Sequence, residues 1–126
     1  MARAKKSLGQ NFLIDQNIIQ KIVDLADIQD KEILEVGPGT GNLTSEILRR
    51  NPKRLYLIEK DYELSSLLND KFDKQITLFN EDILYFNEQT LSKNKITVFG
   101  NLPYNISTEI LSKWIMNLKN EFCWFN

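Results

Sequence analysis

At 126 residues, with 42% apolar and 26% charged side chains, the chain has the size of one soluble globular domain or of part of a larger one. No apolar run approaches the roughly 18–20 residues of a membrane span, and the basic start Met1–Lys6 leads into no apolar stretch, which argues against a secretory leader. Net charge is −1, histidine is absent and Cys123 is the single cysteine, so a His/Cys metal centre, a His-based triad and an internal disulfide are excluded and a cytoplasmic protein is expected.

In chain order, Asp15 can cap a helix whose apolar stripe is Ile18, Ile19, Ile22, Val23 and Ala26. After the polar break at 27–30, Glu32–Val36 reads as a short strand. The loop Gly37-Pro38-Gly39-Thr40-Gly41 then opens a helix through Leu43, Ile47 and Leu48. Asn51-Pro52 stops that helix, and Arg54–Glu59 reads as a second strand. Asp61 can cap a helix with Leu64, Leu67, Leu68 and Phe72 on one face. Ile76–Phe79 is the expected third strand, an irregular or helical piece spans Tyr85–Leu91, and Lys95–Phe99 is the fourth strand, closed by Gly100. Ser107 can cap a last helix that buries Ile110, Leu111, Trp114, Ile115 and Leu118. Strands alternating with helices predict an α/β sandwich with a parallel sheet and helices on both faces, in one continuous unit over residues 1–126. The terminal run Glu121–Asn126 reads as the start of a fifth strand, cut short, which would leave the fourth strand as an open edge.

The glycine loop follows a strand and precedes a helix, a place where bare backbone can turn tightly and approach a ligand. A tight strand-to-helix turn alone also accounts for it. Asn42 stands where a dinucleotide fingerprint needs its third glycine, so the pattern Gly37, Gly39, Gly41 suits a small zwitterion better than a pyrophosphate. Glu59 ends the second strand, where a carboxylate can accept from both hydroxyls of a ribose. Asp82 follows the third strand, where an acid can accept from an adenine amino group or serve as an ordinary turn residue.

Asn101-Leu102-Pro103-Tyr104 follows the fourth strand. An aromatic amine is a weak nucleophile because its lone pair is delocalised into the ring. The Asn101 side-chain oxygen, with a main-chain carbonyl of Leu102 or Pro103, can accept both amine hydrogens and aim that lone pair at a methyl donor. Pro103 stiffens the loop, and Tyr104 offers a ring for an extruded base to stack on. A proline turn with a packing tyrosine is the plainer reading, made weaker by a position at the carboxyl end of a strand. Arg3, Lys5 and Lys6, and further on Arg49, Arg50, Lys53, Arg54 and Lys60, fit solvated surface and phosphate contacts alike.

These segments, together with Ser7–Leu13, Asp82-Ile83 and the run Phe99–Thr108, resemble the motifs of the ribosomal small-subunit RNA adenine dimethyltransferases, from about Lys5 to about Leu118. The resemblance implies a Rossmann-type methyltransferase sheet and S-adenosyl-L-methionine as cofactor. It also implies dimethylation of the 6-amino groups of two adjacent adenines near the 3′ end of small-subunit rRNA. Cofactor contacts carried over from the family fall on Asn11, Leu13, Gly37, Glu59, Asp82 and Asn101, and the basic start would meet rRNA phosphates. The family's further strands and helical domain have no counterpart in these residues. The expectations are therefore weak cofactor binding, no useful activity, and self-association through the open edge. Two other readings are kept: a non-catalytic cofactor- or RNA-binding remnant, and a large-subunit rRNA adenine dimethyltransferase, a group that usually has isoleucine where this chain has Leu102.

Overall fold

The computed structural model describes residues 15–87, 91, 95–101 and 121–125, with side chains as far as Gly100. Helix α1 (Gln16–Val23) is capped by Asp15, whose carboxylate accepts from the backbone N–H of Asn17 and Ile18. Strand β1 (Glu32–Val36) is buried along its whole length, as expected of a strand covered on both faces. The glycine loop leads into α2 (Asn42–Arg49), followed by β2 (Arg54–Ile58) and α3 (Tyr62–Phe72), the last capped by Asp61. Strands β3 (Thr77–Phe79), β4 (Thr97–Asn101) and β5 (Glu121–Phe125) complete a five-stranded sheet.

All pairings are parallel, in the order β3-β2-β1-β4-β5. Side chains alternate between the faces. Ile33, Leu55, Leu57 and Phe99 join Ile19 and Val23 of α1, Leu43 and Ile47 of α2, and Leu68 and Phe72 of α3 in one core. Leu34, Val36, Tyr56, Ile58 and Val98 face a second core with Ile83, Phe86 and Ile96. All three described helices therefore lie on one face. On the other, the described cover is the 3-10 turn Ile83–Tyr85 and its neighbours, and the helix expected after Ser107 lies outside the described residues.

Several sequence expectations change: the first helix ends at Val23, short of Ala26, and the second strand ends at Ile58, leaving Glu59 just past it. The third strand starts at Thr77, because Ile76 closes the 3-10 turn Asp73–Gln75 and turns into the core. The fourth strand runs Thr97–Asn101 rather than Lys95–Phe99: its backbone pairs with β5 as far as Asn101↔Phe125, so Gly100 continues the strand instead of closing it. The fourth strand is also not the open edge. The aromatic segment expected to dangle is a paired strand, in register from Thr97↔Glu121 onward, and the outer strands among the described residues are β3 and β5.

Candidate active site at the switch in strand order

From β1 the chain moves outward through β2 and β3, then returns to the other side of β1 as β4. At such a switch the loops after adjacent strands diverge, and a crevice opens at their carboxyl ends. Glu35↔Phe99 and Val36↔Gly100 are neighbours across it, so the glycine loop and Asn101 leave the sheet side by side.

The loop is held tightly. Gly37 N–H donates to the Ile58 carbonyl at 3.0 Å and Gly41 N–H to the Pro38 carbonyl at 3.1 Å. Gly39 and Gly41 have φ of +61° and +90°, a left-handed region that favours glycine. They differ in surroundings. A Cβ on Gly41 would lie 2.7 Å from Phe72 Cε2, so that glycine lets the loop pack on α3, whereas a Cβ on Gly39 would meet nothing within 4 Å. The space over Gly39 is open, and Gly41, as the N-cap of α2, brings no capping side chain to the first N–H groups of the helix.

Glu59, just past β2, is 7% exposed. One carboxylate oxygen accepts from Gly39 N–H at 3.3 Å and the other from Asp61 N–H at 2.9 Å. Burial pushes its pKa up, and the backbone N–H groups of Asp61 and Gly39 oppose that rise. A carboxylate has about four acceptor positions, so two remain for the hydroxyls of a diol. Asn80 Nδ2 donates to the Glu59 carbonyl at 3.0 Å and to the Lys60 carbonyl at 3.1 Å, tying the end of β3 to this corner. A cleft of about 120 Å³ runs from Val36 and Gly37 past Ile58, Glu59 and Lys60 to Glu81, Asp82, Ile83 and Leu84. Its apolar walls suit a flat ring. Asp82 stands at its far end, accepting from Leu84 N–H at 3.0 Å with Lys60 Nζ 3.6 Å from its other oxygen. These donors and walls fit a zwitterion joined to a nucleoside. A larger cavity of about 440 Å³, lined by Asp27, Asp30, Lys31, Glu32, Lys53, Lys95 and Thr97, opens at the amino ends of the strands, away from the glycine loop. Acids, lysines and a threonine line it, without an apolar residue to hold a flat ring, so size is outweighed by chemistry.

The structure thus brings together Gly37, Gly39, Glu59 and Asp82, with the Asn101 backbone beside them. Asn11, Leu13, Leu102, Pro103 and Tyr104 lie outside the described residues. Lys60 reaches this crevice, but Arg49, Arg50, Lys53 and Arg54 sit at the opposite end of the sheet, where Arg49 and Arg50 pair with Glu46. The sequence reading missed Glu35, which is 2% exposed beneath the loop and accepts a hydrogen bond from the Thr44 hydroxyl. Burial, with the charge of Glu59 added and the Thr44 bond opposing, pushes its carboxyl up to about 8. Its signal was an acid in the interior of β1, between Leu34 and Val36. Among the described residues, no group of acids or Cys could hold a metal ion, and no helix is long and apolar enough to cross a membrane.

Residues 1–122 match the family model described as ribosomal RNA adenine dimethylase. The chain belongs to the ribosomal RNA adenine dimethylase family. Within that family it is 60% identical over 124 residues to ribosomal RNA small subunit methyltransferase A of Pelagibacter ubique (strain HTCC1062), covering 98% of this chain and 47% of that protein. Identity to the protein of the same name from Wolbachia sp. subsp. Brugia malayi (strain TRS) is 43%, over 94% of this chain and 47% of that one. The chain thus spans about half the length of the curated family members it matches. The fold resembles the crystal structure of 23S rRNA methyltransferase ErmE, with a TM-score of 0.76 and 26% identity over 87% of this chain and 45% of that one. It also resembles a dimethyladenosine transferase from Plasmodium falciparum, with a TM-score of 0.69 and 27% identity over 82% and 38%. A magnesium protoporphyrin IX methyltransferase from Synechocystis PCC 6803 with bound SAM shares the fold at 12% identity, with a TM-score of 0.59 over 88% and 59%.

Proposed function

We propose that this chain is the cofactor-binding part of an S-adenosylmethionine-dependent enzyme that dimethylates the 6-amino groups of two adjacent adenines near the 3′ end of small-subunit rRNA. The observation that carries the reading is the buried Glu59 carboxylate, bonded to the glycine loop by one oxygen and opening onto the cleft that ends at Asp82.

S-adenosylmethionine, when bound, supplies an electrophilic methyl group. Glu59 accepts from the ribose hydroxyls, Asp82 accepts from the cofactor's adenine amine, and Gly37 and Gly39 let the backbone close on the methionine portion. The Asn101 side-chain oxygen and a carbonyl of Leu102 or Pro103 accept hydrogen bonds from the target amine, and Tyr104 stacks on its ring. Held this way, the nitrogen lone pair would be aimed at the methyl carbon that the cofactor supplies, with the thioether as leaving group and the amine proton passing to water. Orientation of this kind is worth about 7–11 kcal/mol when the reacting atoms are well placed, so no strong base is required.

Asn101→Ala should cut methyl transfer by about a hundredfold or more while cofactor binding persists, as scored by radiolabel transfer to immature small subunits. Activity within twofold of the parent would reject the role, and a parent that binds cofactor but transfers no label would favour the non-catalytic reading. A large-subunit target draws on the likeness to ErmE, but 26% identity there stands against 60% to a small-subunit methyltransferase. Primer extension across both rRNA sites separates them. A cytoplasmic location and self-association through the outer edge of β5 belong to the same proposal.

A further inference from the structure

Glu59 and Asp82, the carboxylates at the two ends of the cleft, stand beyond the ends of β2 and β3, so their spacing depends on how those strand ends are held. Strand β3 alone holds its end poorly. It has three residues, Thr77 exposed and Leu78 and Phe79 only half-buried, and it is an outer strand among the described residues. Few buried side chains make for a low local stability. Its register with β2 ends at Ile58↔Phe79, and just past it Glu59 N–H donates to the Phe79 carbonyl at 3.0 Å.

The Asn80 side chain takes over where the ladder stops. In a parallel pair the next rung brings a donor to the Glu59 carbonyl, and Asn80 Nδ2 supplies one at 3.0 Å. The same nitrogen lies 3.1 Å from the Lys60 carbonyl and 3.1 Å from Ser65 Oγ. Ser65, buried on α3, donates in turn to the Glu59 carbonyl at 3.2 Å. Carbonyl oxygens only accept, so the amide must turn its nitrogen toward them and its orientation is fixed. One side chain therefore binds the chain beyond β3 to the chain beyond β2 and to α3. Glu81 and Asp82, which line the cleft, follow it directly. The other link across this corner is the 3.6 Å approach of Lys60 Nζ to Asp82. That lysine is 79% exposed, so solvent and salt screen the pair and the Asn80 amide outweighs it.

We propose that Asn80 is a positioning residue for the cofactor: it sets the span between Glu59 and Asp82, so that one nucleoside meets both, its ribose at one and its adenine amine at the other. This rests on the reading above, in which those two carboxylates take those two groups. Anchors of this kind work when held within about 0.5 Å of the productive geometry. A residue that only stabilised the fold would weaken every ligand of the cleft alike. One that sets the span weakens what depends on the adenine end.

The test is calorimetric titration of two ligands, each to millimolar concentration, into the 126-residue protein and its variants. One is S-adenosylhomocysteine; the other is S-inosylhomocysteine, which has a ring carbonyl where adenine has its amine. The readout is the ratio of the two affinities, because a loss of folded protein changes both alike. The parent should prefer the adenosyl ligand by about tenfold or more, since a carboxylate accepts from an amine and repels a carbonyl. Asp82→Asn, whose amide can face either group, should bring the ratio near one. Asn80→Ala should shrink it to about threefold or less. Asn80→Asp fills the same space but cannot donate, so it should do the same, and it decides the matter if Asn80→Ala does not fold. An Asn80 variant that folds and keeps the parent's ratio, while Asp82→Asn has lost it, would overturn the proposal. If Asp82→Asn keeps the parent's ratio, or the parent binds neither ligand or both equally, the reading of the adenine end fails first and takes this inference with it.

Discussion

Glu35 lies one residue before the last of β1, beneath the glycine loop, and it is protonated at neutral pH because burial pushes its pKa to about 8 from an ordinary 4.5. A carboxyl raised in the folded state holds its proton more tightly there than in the unfolded chain. Its contribution to stability is therefore complete below about pH 4.5 and is lost as pH rises to about 8, where the folded protein must ionise it too. Melting temperature should fall between pH 5 and 8 beyond the drift of other groups. Glu35→Gln, which keeps a partner for Thr44, should flatten that slope; an unchanged slope in thermal melts would remove Glu35 as its source. Burial raises Glu59 too, but there the backbone N–H groups of Asp61 and Gly39 oppose the rise and the carboxylate opens onto the cleft. Glu59→Ala should lower cofactor affinity by at least about tenfold, and equal affinity by calorimetry would exclude ribose recognition. Glu59 and Asp82 could be read from sequence because each follows a strand at the carboxyl end, where ligands bind. Glu35 could not be given a role that way, because its neutral state depends on how α2 covers it.

The glycine loop and its helix make separable demands. Gly41→Ala forces a Cβ to within 2.7 Å of Phe72 and 3.0 Å of Leu68 at a left-handed φ, and should cost about 2–4 kcal/mol of stability in denaturant titrations. Gly39→Ala meets no neighbour and should cost only about 1 kcal/mol, yet weaken the cofactor by more than that, since its methyl enters the space over the loop. If the two variants are equally unstable, the contrast in their packing is wrong. Helices α1 and α3 were legible because Asp15 and Asp61 cap them and their apolar residues recur at helical spacing. The strand boundaries were less so. Ile76 is apolar and β-branched, hence strand-like alone, but a 3-10 turn ahead of it sets where pairing begins. The extension of β4 to Asn101 is a property of its pairing with β5, which no local pattern announces.

Among the described residues, the sheet has its short strand β3 on one side and β5 on the other. Short edge strands discourage pairing with another chain; a five-residue aromatic-containing edge does so less well. Concentration-dependent mass by light scattering is expected, suppressed by a proline at Cys123; a monomer at high concentration in both proteins would refute association through that edge. The parallel order has one more outcome, for how the protein is made. The strand that completes the crevice pairs with β1 only after β2 and β3 have been laid down on the far side. A growing polypeptide therefore carries the glycine loop, Glu59 and Asp82 for much of its synthesis with one wall missing. The complete crevice, with the Asn101 backbone beside the glycine loop, forms only once the stretch around residue 100 has left the ribosome.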